Sequence, residues 1–300
     1  MGLIAGPTKW ILLLSGAHDA VELRHVQDLA YGVFCLERAG VRAQDIAIYV
    51  DGGERRIANL ATSFAGGNYE VKPCSCFFEE LPKLDGYENL VVFVTGHGSP
   101  LGIDGDPPIT PTMMLEVIRS VPKLERAMIY LGQCFAGVFN YVGAGNRFHK
   151  DRRDVIFMGA TSLHESISSS TSEEVSGGRT VSWVANLFLL YVFKWIMNPV
   201  DIDGDGKFTV IDSYKYAGAM ANYANKRGRS MVFDGLLELR EKMSFAAKEL
   251  ASGEDVEGGI AKKVEYDALA ARYRQMRDVH FIHQDCWILN AVPAQSIEVY

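Results

Sequence analysis

Five short apolar runs, at 10–15, 45–50, 90–95, 128–131 and 155–158, recur through the first two-thirds of this 300-residue chain. Each is apolar nearly throughout, as expected of a strand buried on both faces. Between them, 21–39, 112–121 and 184–197 repeat apolar residues at helical spacing. Parallel strands cannot be joined by a tight turn and need a crossover long enough to hold a helix. Buried strands alternating with helices therefore predict an α/β domain: a mostly parallel sheet with helices on both faces.

The rest of the chain reads differently. The stretch 165–179 is rich in Ser, Thr, Glu and Gly without an apolar period, and reads as a long functional loop. From 234 onward the sequence is polar and helical over 236–250 and 264–277, with a glycine- and acid-rich break at 253–259. The residues 286–292 and 297–300 are apolar and read as extended. We therefore expect one catalytic-type domain over 1–233, and over 234–300 a helical segment that is either an appendage or an insertion before a last strand rejoining the sheet.

Composition narrows the functional classes. A net charge of −7 without a cluster of Lys or Arg argues against a nucleic-acid partner. The apolar stretch 184–197 is too short to span a bilayer and contains Lys194, so no membrane partner is expected. Residues 10–14 lack the basic flank of a signal peptide. Five cysteines, at 35, 74, 76, 134 and 286, show no framework spacing and predict a reducing, cytoplasmic setting.

Two of the strand ends carry chemistry. The run 91–94 leads into Thr95-Gly96-His97-Gly98, which puts an imidazole between glycines at the carboxyl end of a strand. That edge is where open α/β sheets bind ligands. The run 127–131 leads into Gly132-Gln133-Cys134-Phe135-Ala136-Gly137. A cysteine at a strand end, with a histidine in reach, is placed as a nucleophile rather than as buried filler. If the two strands are neighbours, His97 and Cys134 meet at one edge.

An apolar strand ending in His-Gly, followed by an apolar strand and Cys-x-(Ser/Ala)-Gly, resembles the clan of caspases, metacaspases and legumains. The likeness extends over roughly 9–200. Glu22-Leu23-Arg24-His25 opens a helix that closes near Gly40, and a strand ending in Asp51 follows, similar to legumains. Ile109-Thr110-Pro111 and Gly159-Ala160-Thr161-Ser162 are also similar to that family. The resemblance implies a caspase-like (caspase–hemoglobinase) fold and a cysteine endopeptidase acting on a protein or peptide substrate. It implies His97 as general acid/base, Cys134 as nucleophile and the N–H groups of Gly98 and Cys134 as oxyanion hole. Arg24 matches the position lining the primary specificity pocket. Activation by processing, at the Ser-rich stretch 165–179 or after 234, is expected of such a zymogen.

The departures bear on specificity. Legumains carry an acid two positions before the cysteine, where this chain has Gly132, and Asn where it has Glu22. An arginine lacking acidic partners would take a carboxylate in two-pronged fashion, so the sequence predicts an acidic P1, Asp or Glu, ahead of Asn. Glu22 and His18 are expected in supporting positions around His97. A thioester can also be resolved by an amine, making a transamidase or peptide ligase the alternative. A calcium-binding module on a decayed protease core is the alternative from another class.

A second motif is independent of the first. In 201–212 the sequence Asp-Ile-Asp-Gly-Asp-Gly-Lys-Phe-Thr-Val-Ile-Asp matches the twelve-residue calcium loop, with acids at its first, third and fifth positions and the turn glycine at the sixth. The expected ligands are Asp201, Asp203, Asp205, the Lys207 carbonyl, Thr209 and Asp212, with Ca2+ in a structural or regulatory role. Position twelve is Asp rather than Glu, resembling the dockerin version. Cys74-Ser75-Cys76 and the group His280, His283, Asp285 and Cys286 read as ordinary structural residues.

Overall fold

The computed structural model describes residues 3–16, 22–52, 66–145, 153–252 and 256–300. Two compact units divide the chain: 1–221 with 284–300, and 222–283. The sequence changes character at 234, whereas the units divide at 222, inside a helix running from Val210 to Ala251. No helix among the described residues is long and apolar enough to cross a membrane.

The first unit is α/β. Its strands in chain order are β1 (Thr8–Ser15), β2 (Ile46–Val50), β3 (Val71–Lys72), β4 (Asn89–Gly96), β5 (Gly98–Ser99), β6 (Gly102–Ile103), β7 (Arg126–Leu131), β8 (Asp154–Gly159), β9 (Ser168–Val175), β10 (Arg179–Asn186) and β11 (Trp287–Leu289). Among the described residues seven of them form the central sheet, in the order β11-β8-β7-β4-β1-β2-β3. All its pairings are parallel except β11 with β8. The chain end thus closes an edge of the sheet.

Both faces are covered, which is why β1, β4 and β7 are apolar without alternation. On one face Ile11, Leu13, Val92, Val94 and Ile129 pack with Phe77, Met114, Ile118 and Phe139. Phe77 belongs to helix α2 (Cys74–Glu80), Met114 and Ile118 to helix α3 (Pro111–Arg119), and Phe139 to the turn beyond Cys134. On the other face Phe93 lies 4.8 Å from Phe193, ring centre to ring centre, and stacks on Tyr130. Phe193 belongs to helix α4 (Leu187–Met197), which packs against helix α1 (Leu23–Arg38).

The stretch 165–179 corrects the sequence reading. It is no open loop but the first half of an antiparallel hairpin, β9 with β10. The apolar side comes from β10, where Trp183 and Ala185 are buried, and Thr171 sits opposite Trp183. Gly177 and Gly178 turn the chain with φ of 77° and 69°, a conformation only glycine adopts freely. Residues 184–186, expected in a helix, end β10 instead. The second unit pairs the distal part of the 210–251 helix with the helix Val256–Phe281. His280 stacks near Phe233 and faces the Arg229 carbonyl at 3.3 Å there.

Helix α1 approaches the sheet and α4 through Gly32. A Cβ on Gly32 would lie 2.5 Å from Phe193 and 2.9 Å from Leu12. Overpacking a core costs about 1–3 kcal/mol, against a helix-propensity gain of about 1 kcal/mol. Gly32→Ala is therefore expected to destabilise the protein, seen as a lower urea midpoint at unchanged slope.

Candidate active site

Parallel pairing of β4 with β7, Val94 opposite Leu131, sends both chains out of the same edge of the sheet. The Gly132 amide still bonds the Val94 carbonyl at 2.8 Å, and the strands part only beyond it. His97 and Cys134 follow at once. A Cβ on Gly98 would lie 2.2 Å from the Cys134 carbonyl oxygen, so the two turns touch backbone to backbone and only glycine permits it. Phe135 holds a left-handed backbone, φ 54°, which is uncommon for a residue with a Cβ. Its amide is fixed by the His164 carbonyl at 2.8 Å, and that of Gly137 by Ser162 at 3.0 Å.

Cys134 is partly exposed, and its Sγ accepts from the Ser166 amide at 3.4 Å. Its own N–H has no acceptor among the described residues. The residue that most directly holds His97 is Glu22, whose Oε1 lies 2.7 Å from His97 Nε2. The other oxygen of Glu22 accepts from Arg24 Nε at 2.5 Å. The hydrogen bond from Arg24 pulls the Glu22 carboxyl down to about 2; burial opposes this and the His97 bond assists it. Arg24 also donates to Ser168 Oγ at the start of β9, at 3.2 Å. No hydrogen bond joins His97 to Cys134 among the described residues.

This arrangement alters the premise for an acidic P1. The expectation assumed a guanidinium without acidic partners, and Arg24 has one in Glu22. His18 lies outside the described residues.

A buried layer beneath the site escaped the sequence reading. Asp28, one helical turn after His25, accepts from Thr95 Oγ1 at 3.0 Å, Trp183 Nε1 at 2.8 Å and the Asn186 amide at 3.2 Å. Asn186 in turn donates to the Gly132 carbonyl at 2.6 Å. One carboxylate thus ties α1, β4 and the hairpin to the turn carrying Cys134. Its signal in the sequence was the His-x-x-Asp spacing on an apolar helix face, which names no partner.

In the loop 201–212 the carboxylates of Asp201, Asp203 and Asp205 come within 4.8 Å of one another. Asp201 also accepts from the Gly204 and Gly206 amides at 2.6 and 2.9 Å. Asp203 carries the Lys215 ammonium at 2.8 Å. Asp212 and Thr209 are used otherwise. Both are buried, and Asp212 accepts from the Thr209 amide and hydroxyl at 2.9 and 2.7 Å and from the Ile202 amide at 3.0 Å. Burial raises the Asp212 carboxyl, but these hydrogen bonds outweigh it and leave it below the ordinary range. They cap the helix and brace the loop. The Lys207 side chain pairs with Glu298 at 2.8 Å.

The chain matches no protein-family model and no curated protein. The functional reading therefore rests on its residues and their geometry.

Asp28→Asn would replace an acceptor of three buried donors by a group that is half donor. Leaving buried donors unsatisfied costs about 1–3 kcal/mol, so urea denaturation is expected to show a loss of that size.

Proposed function

We propose that this chain is a cysteine endopeptidase of caspase-like fold, with Cys134 as nucleophile and His97 as general acid/base. The observation that carries the reading is the meeting of two adjacent parallel strands at one edge, one ending in His97-Gly98 and the other in Cys134, with their turns in backbone contact. A histidine and a cysteine on touching, glycine-containing turns at the carboxyl edge of a parallel sheet suit covalent catalysis.

In this mechanism the Cys134 Sγ attacks the scissile carbonyl carbon, and the carbonyl oxygen gains charge facing the N–H groups of Gly98 and Cys134. His97 gives a proton to the departing amine, leaving a thioester on Cys134. His97 then takes a proton from water, whose hydroxide adds to the thioester and frees the acid and the Cys134 thiolate, restoring the thiolate and protonated imidazole that began the cycle. Because His97 is bonded to Glu22 rather than to Sγ, its part lies with the leaving group more than with thiol activation. Glu22 orients the imidazole.

Arg24 would meet the P1 side chain. With Glu22 on it the guanidinium offers donors without an excess of positive charge, and Gly132 brings no second carboxylate. That balance favours the carboxamide of Asn, with Asp behind it. For calcium, the converging oxygens of Asp201, Asp203 and Asp205 fit a hard cation. They would hold it with the Lys207 carbonyl, while Thr209 and Asp212 shape the loop. Calcium would supply charge neutralisation and order there.

A fluorogenic peptide panel varying P1 among Asn, Asp, Glu, Arg and Lys tests the enzyme. Turnover with Asn or Asp, abolished in Cys134→Ala, is expected. Gly98→Ala, which forces the two turns apart, is expected to lower kcat/KM by about 100-fold. Activity unaffected by Cys134→Ala, or confined to Arg or Lys at P1, would overturn the reading. Product masses with an added amine distinguish hydrolysis from transamidation.

Calcium is tested separately by scanning calorimetry. Free calcium at a hundredfold its Kd is expected to stabilise by about 2.7 kcal/mol, and chelator or Asp203→Ala with Asp205→Ala to remove the gain. An unchanged Tm in calcium and in chelator would dismiss it.

A further inference from the structure

His25 lies directly behind His97, with the two rings edge to face and their centres 5.3 Å apart. Its side chain is almost fully buried, with 4% relative exposure. Its two nitrogens have unequal surroundings. Nδ1 is 3.2 Å from Thr95 Oγ1, while Nε2 is buried and has no hydrogen-bond partner. Such an orphan is costly, about 1–3 kcal/mol, and native structures seldom keep one without a use.

The Thr95 hydroxyl decides what kind of atom Nε2 is. That hydroxyl gives its single proton to Asp28 Oδ2 at 3.0 Å, so toward His25 it can only accept. Nδ1 must then carry the ring proton in neutral His25, and Nε2 is left as a bare lone pair. A carboxylate relayed to the far nitrogen of a histidine is the arrangement that fixes the tautomer and ring orientation of a metal-binding imidazole.

Two further donors stand beside the His25 ring. One nitrogen from each of His25 and His97 and one oxygen of Glu22 all lie within 4.8 Å of one another. Two imidazoles and one carboxylate, with a further position open, are a donor set that zinc accepts. Ligand atoms at about 2.0–2.2 Å from a tetrahedral ion stand somewhat closer together than this limit. Glu22 and His97 are half exposed, so they can close in while His25 stays fixed.

We propose that Glu22, His25 and His97 form a binding site for a divalent transition metal with the ligand preference of zinc, and that occupation silences the enzyme. Binding would release the proton shared by His97 Nε2 and Glu22 Oε1, since a metal-bound imidazole nitrogen holds no proton. His97 could then neither protonate the leaving amine nor be turned by Glu22. The metal site stands on the geometry alone; the silencing rests on the protease reading.

The test is built to keep those two apart. Zinc binding is measured by titration calorimetry on full-length Cys134→Ala, which lacks the thiol but keeps all three ligands. One site is expected, weakened at least tenfold by His25→Gln and by Glu22→Gln, and unchanged by Asp203→Asn in the acidic loop. Glu22 is exposed, so its variant decides the matter if His25→Gln fails to fold. No zinc bound by Cys134→Ala, or the same affinity in Glu22→Gln, would overturn the site. In the wild-type enzyme, inhibition by zinc and recovery with chelator are expected. Inhibition of the wild type without binding to Cys134→Ala would put the metal on the thiol and also overturn the proposal. Binding with the expected variant pattern in a protein without peptidase activity would support the site and refute its link to proteolysis.

Discussion

The parallel register of β4 against β7 is the constraint on which the site depends. With Val94 opposite Leu131, β7 ends two residues short of the end of β4 at the same edge. A slip by one residue would turn every side chain to the opposite face, and both faces here are filled by different helices. The packing of the core therefore fixes the register, and the register fixes the separation of His97 from Cys134. Glycine at 98 then allows the final approach, because any side chain there would meet the Cys134 carbonyl.

Above this frame the polar groups form two layers that differ in burial. The upper layer, Glu22 with His97 and Arg24, is half exposed and ionic, so its members can exchange partners at little cost. The lower layer, His25 with Thr95 and Asp28, is buried, and its hydrogen bonds allow one proton arrangement. Such a pairing suits a site that must be rigid beneath and responsive on top. It also explains why the hairpin belongs to the site: Trp183 and Asn186 anchor β10 to Asp28, and Ser166 and Ser168 reach Cys134 and Arg24.

The acidic loop is built by the same logic of local satisfaction. Asp201 folds over the amides of Gly204 and Gly206, and Asp212 spends its oxygens on the helix start. Asp201 also converges with Asp203 and Asp205 while it holds those amides. The loop is further tied to the chain end, where Val210 and Val299 exchange backbone bonds with Ile297 and Phe208.

The five apolar runs determined the α/β class by themselves, since buried strands separated by helix-length segments admit few other layers. The glycine-framed His97 and the strand-end Cys134 were legible for the same reason: strand ends and glycines are local properties. The polar hairpin was misread because the apolar residues that stabilise β9 sit on β10, and only pairing reveals them. Glu22 as the partner of Arg24, the orphaned Nε2 of His25 and the Asp28 junction were equally hidden. Partner choice among charged and polar side chains depends on distances between segments far apart in sequence. Periodicity records which face of an element is buried; only the tertiary structure decides what lies against it.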